Sequence, residues 1–237
     1  MSEPHPLEGE ERRLRRAYEA RRGLEPRYSW VSPGHQLIMQ SAERGLLGAM
    51  RRAEITSLGD ARILEIGCGM GYWLRALLQW GAEPEHLVGV DLLAGRIAEA
   101  RQRAANAVRL IVGSGARLPL RDASFDLVLQ STVFTSILDD RTRRLVAAEM
   151  LRVLRPTGAI LWYDFFLNNP RNPDVRGVTK RELRRLFGGC RIQVRRTTLA
   201  PPLARAIAPR SWSLASALAE IPLLCSHLVG TIRPRVD

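Results

Sequence analysis

The residues best equipped for chemistry lie in ILEIGCGMGYWL, positions 63 to 74, where an apolar run carries Glu65 and is followed at once by glycines at 67, 69 and 71. Glycines at alternate positions let a chain turn sharply out of a strand, and they let a ligand lie against main chain where a side chain would collide. About twenty residues further on, HLVGVD ends in Asp91, and a carboxylate at the C-terminal edge of a strand can accept both hydroxyl protons of an adenosine ribose. The spacing discriminates between cofactors. A dinucleotide fingerprint, G-x-G-x-x-G, needs glycine at position 72, where this chain has Tyr72, so NAD is disfavoured.

The surrounding pattern supplies elements to hold these residues. From Ala61 short apolar runs (ARILEIG, HLVGVD, VRLIVG, FDLVLQS, AILWYDF) alternate with amphipathic stretches, including a helix expected from about Asp139 to Leu154. Strands alternating with helices imply βαβ units and a parallel sheet covered on both faces. The expected fold class is α/β: a Rossmann-like, doubly wound, mostly parallel seven-stranded sheet. Before it, residues 8 to 22 and 35 to 53 read as helices of an N-terminal cap over 1–58. After it, the helix TKRELRRLF leads to CRIQVRRTTL, and HLVGTIRP closes the chain. These last two strands form an antiparallel edge hairpin in this reading. The proline-broken stretch between them, about 200–225, is expected to be a lid over the active-site end of the 59–237 core.

An acidic residue before G-x-G-x-G and a second one ending the next strand resemble the class I S-adenosylmethionine (SAM)-dependent methyltransferases. The resemblance continues through VGSGARLPLRDASFDLVLQSTVF and RVLRPTGAILWYDF, covering about residues 60–166 in order. It implies SAM as cofactor, S-adenosylhomocysteine as product, and no metal. It further implies that Gly67, Cys68, Gly69 and Gly71 form the turn along the methionine moiety, that Glu65 orients the turn or reaches the ligand ammonium, and that Asp91 and Leu92 hold the ribose. Ser114, Gly115 and Ala116 would lie beside the adenine, with serine at a position where the family often has Asp. Gln130 and Ser131 would stand nearest the sulfonium, and Thr132, Val133 and Phe134 would line the reaction chamber. An aromatic face there suits a sulfonium through cation–π attraction, although core packing accounts for Phe134 equally well.

More closely, LQSTVFTSILDD, LWYDFFLNNPRNPDVRGV, TLAPPLARAIAP and IPLLCSHLVGTI resemble bacterial methyltransferases found among polysaccharide and surface-glycan biosynthesis enzymes. The implied acceptor is a small molecule or glycan, with O-methylation of a sugar or secondary metabolite as the leading reading. Asp164 is the leading candidate for a general base, against a plain strand-end role; His35 and His227 are further options. Tyr28 and Trp30 are candidates for water-excluding contacts, and Asn168, Arg171 and Arg176 for the acceptor side, where a solvated loop is the competing account. Two other functions stay open: a SAM-binding scaffold without turnover, and an RNA methyltransferase.

Composition constrains these readings. The net charge is +12, yet Lys180 is the only lysine and no nucleic-acid recognition motif is present, so nucleic acid is not the expected partner. The apolar stretch WSLASALAEIPLL leaves a membrane surface as an option, but packing onto the sheet is the expectation. Cys68, Cys190 and Cys225 lack disulfide or zinc-ligand spacing, and the N-terminus MSEPHPLEGEERRLRR is no signal core. A cytoplasmic location is expected, and the oligomeric state is left open.

Overall fold

The computed structural model describes residues 6–20, 29–103, 107–169 and 172–235. Its centre is a seven-stranded sheet of order β3-β2-β1-β4-β5-β7-β6. The strands are β1 Ile63–Ile66, β2 Leu87–Asp91, β3 Arg109–Val112, β4 Phe125–Ser131, β5 Leu154–Phe165, β6 Cys190–Leu199 and β7 Cys225–Pro234. Strands β1 to β5 pair in parallel, while β7 runs antiparallel to both β5 and β6. The order reverses between β1 and β4. In an open α/β sheet this opens a crevice at the C-terminal strand ends.

Because both faces are covered, neighbouring residues of one strand enter different cores. Leu64, Ile66, Val88, Val128, Ile160 and Trp162 face helix α5 (Asp140–Val153) through Val146, Ala147 and Met150, and helix α6 (Lys180–Leu186) through Leu183. On the other face Ile63, Leu87, Leu127, Leu129 and Leu161 meet Trp73, Leu74 and Leu77 of α3 (Tyr72–Gln79) and Ile97 of α4 (Ala94–Arg103). Fully buried strands explain why the sequence shows continuous apolar runs rather than alternation.

The two N-terminal helices have separate jobs. Helix α2 (Pro33–Arg52) lies on the sheet, adding Ala42, Leu46 and Met50 to the core shared with α3 and α4. Helix α1 (Pro6–Glu19) reaches over the crevice. The insertion between β6 and β7 folds as α7 (Pro201–Ile207) and α8 (Trp212–Ala219). It packs on α2 through a small cluster of Leu37, Leu199, Ala204, Ala208 and Ala215.

Candidate functional site

The turn after β1 has positive φ at all three glycines, +70° at Gly67, +51° at Gly69 and +73° at Gly71. L-residues adopt this region only at a cost, so the alternation is a backbone requirement. A Cβ on Gly67 would also sit 2.5 Å from Cγ2 of Val133, because β1 and β4 splay there only far enough for bare main chain. Asp91 fixes the turn from β2: its Oδ2 accepts from the Gly69 amide at 2.8 Å and its Oδ1 from the Leu93 amide at 2.8 Å. Its carboxylate also borders the crevice, leaving lone pairs for hydroxyl donors.

Glu65 is fully buried beneath this turn, and its Oε2 has no hydrogen-bond partner. Burial first, and the neighbouring Asp91 charge second, push its pKa well above the usual carboxylate range. A buried unpartnered oxygen is costly to maintain, and it suits a site that receives a cationic ligand.

Around this turn the walls of one cavity collect Gly67, Asp91, Leu92, Ser114, Gly115, Ser131 and Thr132, all of them residues expected at the site. Cys68, Gly69 and Gly71 lie in the same turn, and Ala116 follows the Ser114–Gly115 wall, with its amide 3.3 Å from the Ser114 hydroxyl. Gln130 stands behind the wall, fully buried. Its Oε1 accepts from the Val133 amide at 3.2 Å, shaping the turn rather than touching the cavity. That turn is strained, since Thr132 has φ of +56° in a non-glycine residue, a conformation kept where the surroundings over-determine it.

Several expected site residues are placed elsewhere. Phe134 is fully buried and packs against Trp162 and Phe187, with ring centroids 4.9 and 6.2 Å away, so it is a core residue and not a chamber wall. Asp164 is fully buried and away from the cavity lining. Its Oδ1 accepts from the Thr135 hydroxyl at 2.6 Å and from the Phe165 amide at 3.0 Å, and its Oδ2 from the Thr135 amide at 3.2 Å. It ties the end of β5 to the turn after β4, which corrects its reading as a base. Desolvation pushes its pKa up to about 7 despite these bonds. His227 is equally a core group. Buried and stacked on Tyr163 at 4.8 Å, it has its pKa pushed down to about 3 by desolvation.

Asn168 caps its own loop, accepting from the Gly177 amide at 2.9 Å. Arg176 binds Asp140 and Glu182 rather than standing free as an anion site. Trp30 is half-exposed and stacks on Tyr72 at 5.4 Å, outside the cavity walls. Tyr28 and Arg171 lie outside the described residues.

The sequence reading missed the wall made by α1, where Glu11, Leu14 and Tyr18 face the cavity. The helix is held there by Glu10, which accepts from the Leu138 amide at 2.7 Å, and by Arg13, which donates to the Ser136 carbonyl at 2.5 Å. Burial disfavours the charge on Glu10, but Arg13 and the amides of Leu138 and Asp139 outweigh it and hold its pKa below the ordinary value. Tyr18 meets the Ser136 hydroxyl at 3.0 Å, and the Arg96 guanidinium lies 4.4 Å above its ring. The insertion supplies no cavity wall among the described residues.

A family model described as Methyltransferase domain matches residues 63–158, the stretch that builds the glycine turn, Asp91 and the β4 wall. Over that stretch, 96 of 237 residues, the chain is similar to a methyltransferase domain. The seven-stranded topology is also the fold of solved proteins described as SAM-dependent methyltransferases. A Deinococcus radiodurans protein named demethylmenaquinone methyltransferase is 31% identical over 144 residues, 58% of this chain and 58% of its own length. A Haemophilus influenzae protein named only as uncharacterized is 32% identical over 114 residues, 46% of this chain and 44% of its own. The chain spans about half the length of the curated relatives it matches. A solved SAM-dependent methyltransferase from Thermotoga maritima shares the fold with a TM-score of 0.62 at 20% identity, covering 93% of this chain and 99% of that one.

Proposed function

We propose that this chain binds SAM in the cavity between the ends of β1, β2 and β4 and transfers its methyl group to a small-molecule or glycan acceptor, with a hydroxyl of a sugar or secondary metabolite as the acceptor group. The observation that carries the reading is the turn after β1. Bare main chain at Gly67 and Gly69, the Asp91 carboxylate beside it and the unpartnered Glu65 oxygen below it form a cradle for a cationic, ribose-bearing ligand. SAM supplies an electrophilic methyl group on a sulfonium. Asp91 offers the remaining lone pairs of its carboxylate to the ribose hydroxyls, and the Ser114–Ala116 segment lies where an adenine edge meets main chain. Ser131 and Thr132 border the far end, and α1 excludes water through Leu14 and Tyr18. With Asp164 tied up in a strand-end tether, the reading rests catalysis on positioning and water exclusion, which suffice for much of the rate of an in-line displacement with a good leaving group.

Support for the acceptor class comes from the resemblance of the 129–140, 161–178, 198–209 and 221–232 segments to glycan-associated methyltransferases. Relatives named demethylmenaquinone methyltransferase favour a small molecule in general. Calorimetric titration with SAM and S-adenosylhomocysteine tests the cofactor half. Binding should be one-to-one in wild type, and Asp91→Ala should weaken it by about 1–3 kcal/mol for groups left unpaired. Unchanged affinity in Asp91→Ala overturns the site. An acceptor panel read by S-adenosylhomocysteine release tests the rest. SAM binding with no turnover on sugars, glycan precursors or small metabolites would favour a scaffold role.

A further inference from the structure

The insertion between β6 and β7 packs on the body mainly through alanines, with Ile207, Leu218 and Leu224 partly buried beside them, and leaves five large apolar side chains exposed. Ala204 and Ala215 are fully buried against α2, while Leu203, Trp212, Leu214, Ile221 and Leu223 face solvent, Leu223 at 83% exposure. Helix α8 has no charged residue at all. A helix that packs in a soluble protein buries its large apolar residues and exposes charged ones, so the outward face of α8 inverts the usual pattern.

The inversion belongs to one end of the molecule. The other large apolar residues exposed among the described residues are Trp30, Val31, Met70, Val112 and Leu167. Met70 lies in the turn after β1, Val112 ends β3, and Leu167 follows β5. Trp30 and Val31 precede α2, whose Gly34 abuts the backbone of Arg205 in the insertion. All of them therefore surround the C-terminal strand ends, where the cofactor cavity opens. Scattered apolar residues on a surface carry no message, but a set confined to one end of the molecule does.

Charge specifies what covers it. A cleft between α2, β6 and the end of the insertion gathers Arg44, Lys180, Arg195 and Arg196 against a single carboxylate, Glu220. None of the ion pairs among the described residues involves those four basic side chains. With a net charge of +12, two copies of this face repel each other, whereas an anionic surface attracts it. No helix among the described residues is long and apolar enough to cross a membrane, so contact would be peripheral.

We propose that this end of the molecule docks on an anionic bilayer surface. Trp212, Leu214 and Leu223 enter the headgroup region, and the α2–β6 arginines lie against lipid phosphates. Docking brings the cavity mouth to the bilayer and favours an amphiphilic acceptor; that consequence rests on the methyl-transfer reading, whereas docking itself does not.

The test is co-sedimentation of the full chain with vesicles of phosphatidylcholine alone and of phosphatidylcholine mixed with phosphatidylglycerol, alongside SAM titration and size-exclusion chromatography. Wild type should bind the anionic vesicles selectively and lose binding as salt rises. Leu214→Ser and Leu223→Ser should each weaken binding about tenfold, and Arg44→Gln and Arg195→Gln about fivefold each. SAM affinity in all four should match wild type, which shows that they fold. Equal affinity for neutral and anionic vesicles, no vesicle binding, or wild-type binding by the serine variants overturns the proposal. A dimer that Leu223→Ser dissociates, without vesicle binding, assigns the face to a second copy instead. Vesicle binding without SAM binding would sink the methyl-transfer reading and leave docking intact.

Discussion

Asp164 offers a quantitative test, because its burial predicts a stability change whose sign depends on pH. Its carboxyl ionises near 3.8 in an unperturbed setting and at about 7 in the folded protein, with desolvation as the main cause. Below pH 4 both folded and unfolded chains hold the proton. As pH rises from 4 to 7 the unfolded chain releases it first, so the unfolded state is favoured, and above 7 the effect is constant. At 1.36 kcal/mol for each pH step, the span costs the folded state about 4 kcal/mol. Asp164→Asn removes this dependence but places an amide NH2 where Thr135 donates, a mismatch of about 1–3 kcal/mol at every pH. The variant should therefore be less stable than wild type at pH 4 and at least as stable at pH 8, with the two curves crossing near pH 5 to 6. Urea unfolding followed by tryptophan fluorescence across this range measures the difference directly. Other titrating groups cancel in the comparison. A difference that stays constant from pH 4 to 8 would refute the argument, since the carboxyl would then be ionised in the folded protein throughout. Methyl transfer by Asp164→Asn should stay within a few-fold of wild type; lost turnover with intact SAM binding would return Asp164 to the role of base.

Two further substitutions probe the walls of the cavity. Arg143 is fully buried and pairs with Glu182 while donating to the carbonyls of Ile137 and Arg176, so it clamps the loops after β4 and β5. Arg143→Ala leaves two carbonyls without this donor, while Glu182 keeps Arg176, and should cost about 1–3 kcal/mol for each carbonyl in urea unfolding. Tyr18→Ala removes the ring beneath Arg96 and the contact to Ser136 while leaving the sheet cores untouched. SAM affinity should fall by about 0.5–2 kcal/mol in calorimetry with little change in global stability.

Where sequence reading succeeded, the physics was local. Continuous apolar runs exist because a parallel sheet buries both faces, and the glycines at 67, 69 and 71 exist because the backbone there has positive φ. Each of these signals lies within a few residues of its cause. Asp139 likewise marks the start of α5, accepting from the Thr142 amide at 2.6 Å. Phe134 and Asp164 were misplaced because position along the chain set their neighbourhood but not their facing. Phe134 sits just past the end of β4 and Asp164 is the last residue but one of β5, and both turn inward. Phe134 completes an aromatic cluster with Phe187, a residue far along the chain, and no local pattern announces that partnership.

The α1 wall was illegible for a deeper reason. EGEERRLRR reads as a solvated helix because most of its side chains are charged, yet Glu10 and Arg13 spend their charge on the main chain of Ser136 and Leu138, more than a hundred residues away. That stretch of main chain is itself held in place: Asp164 grips Thr135 on one side of Ser136, and Arg143 grips the Ile137 carbonyl on the other. The cover of the cavity is thus anchored on a turn whose shape depends on two buried ionisable groups. Loosening either should reach the cavity through α1. Asp164→Asn, although distant from the cavity lining, should therefore weaken SAM binding somewhat, and Tyr18→Ala combined with it should weaken binding by less than the sum of the two, because both act through the same turn.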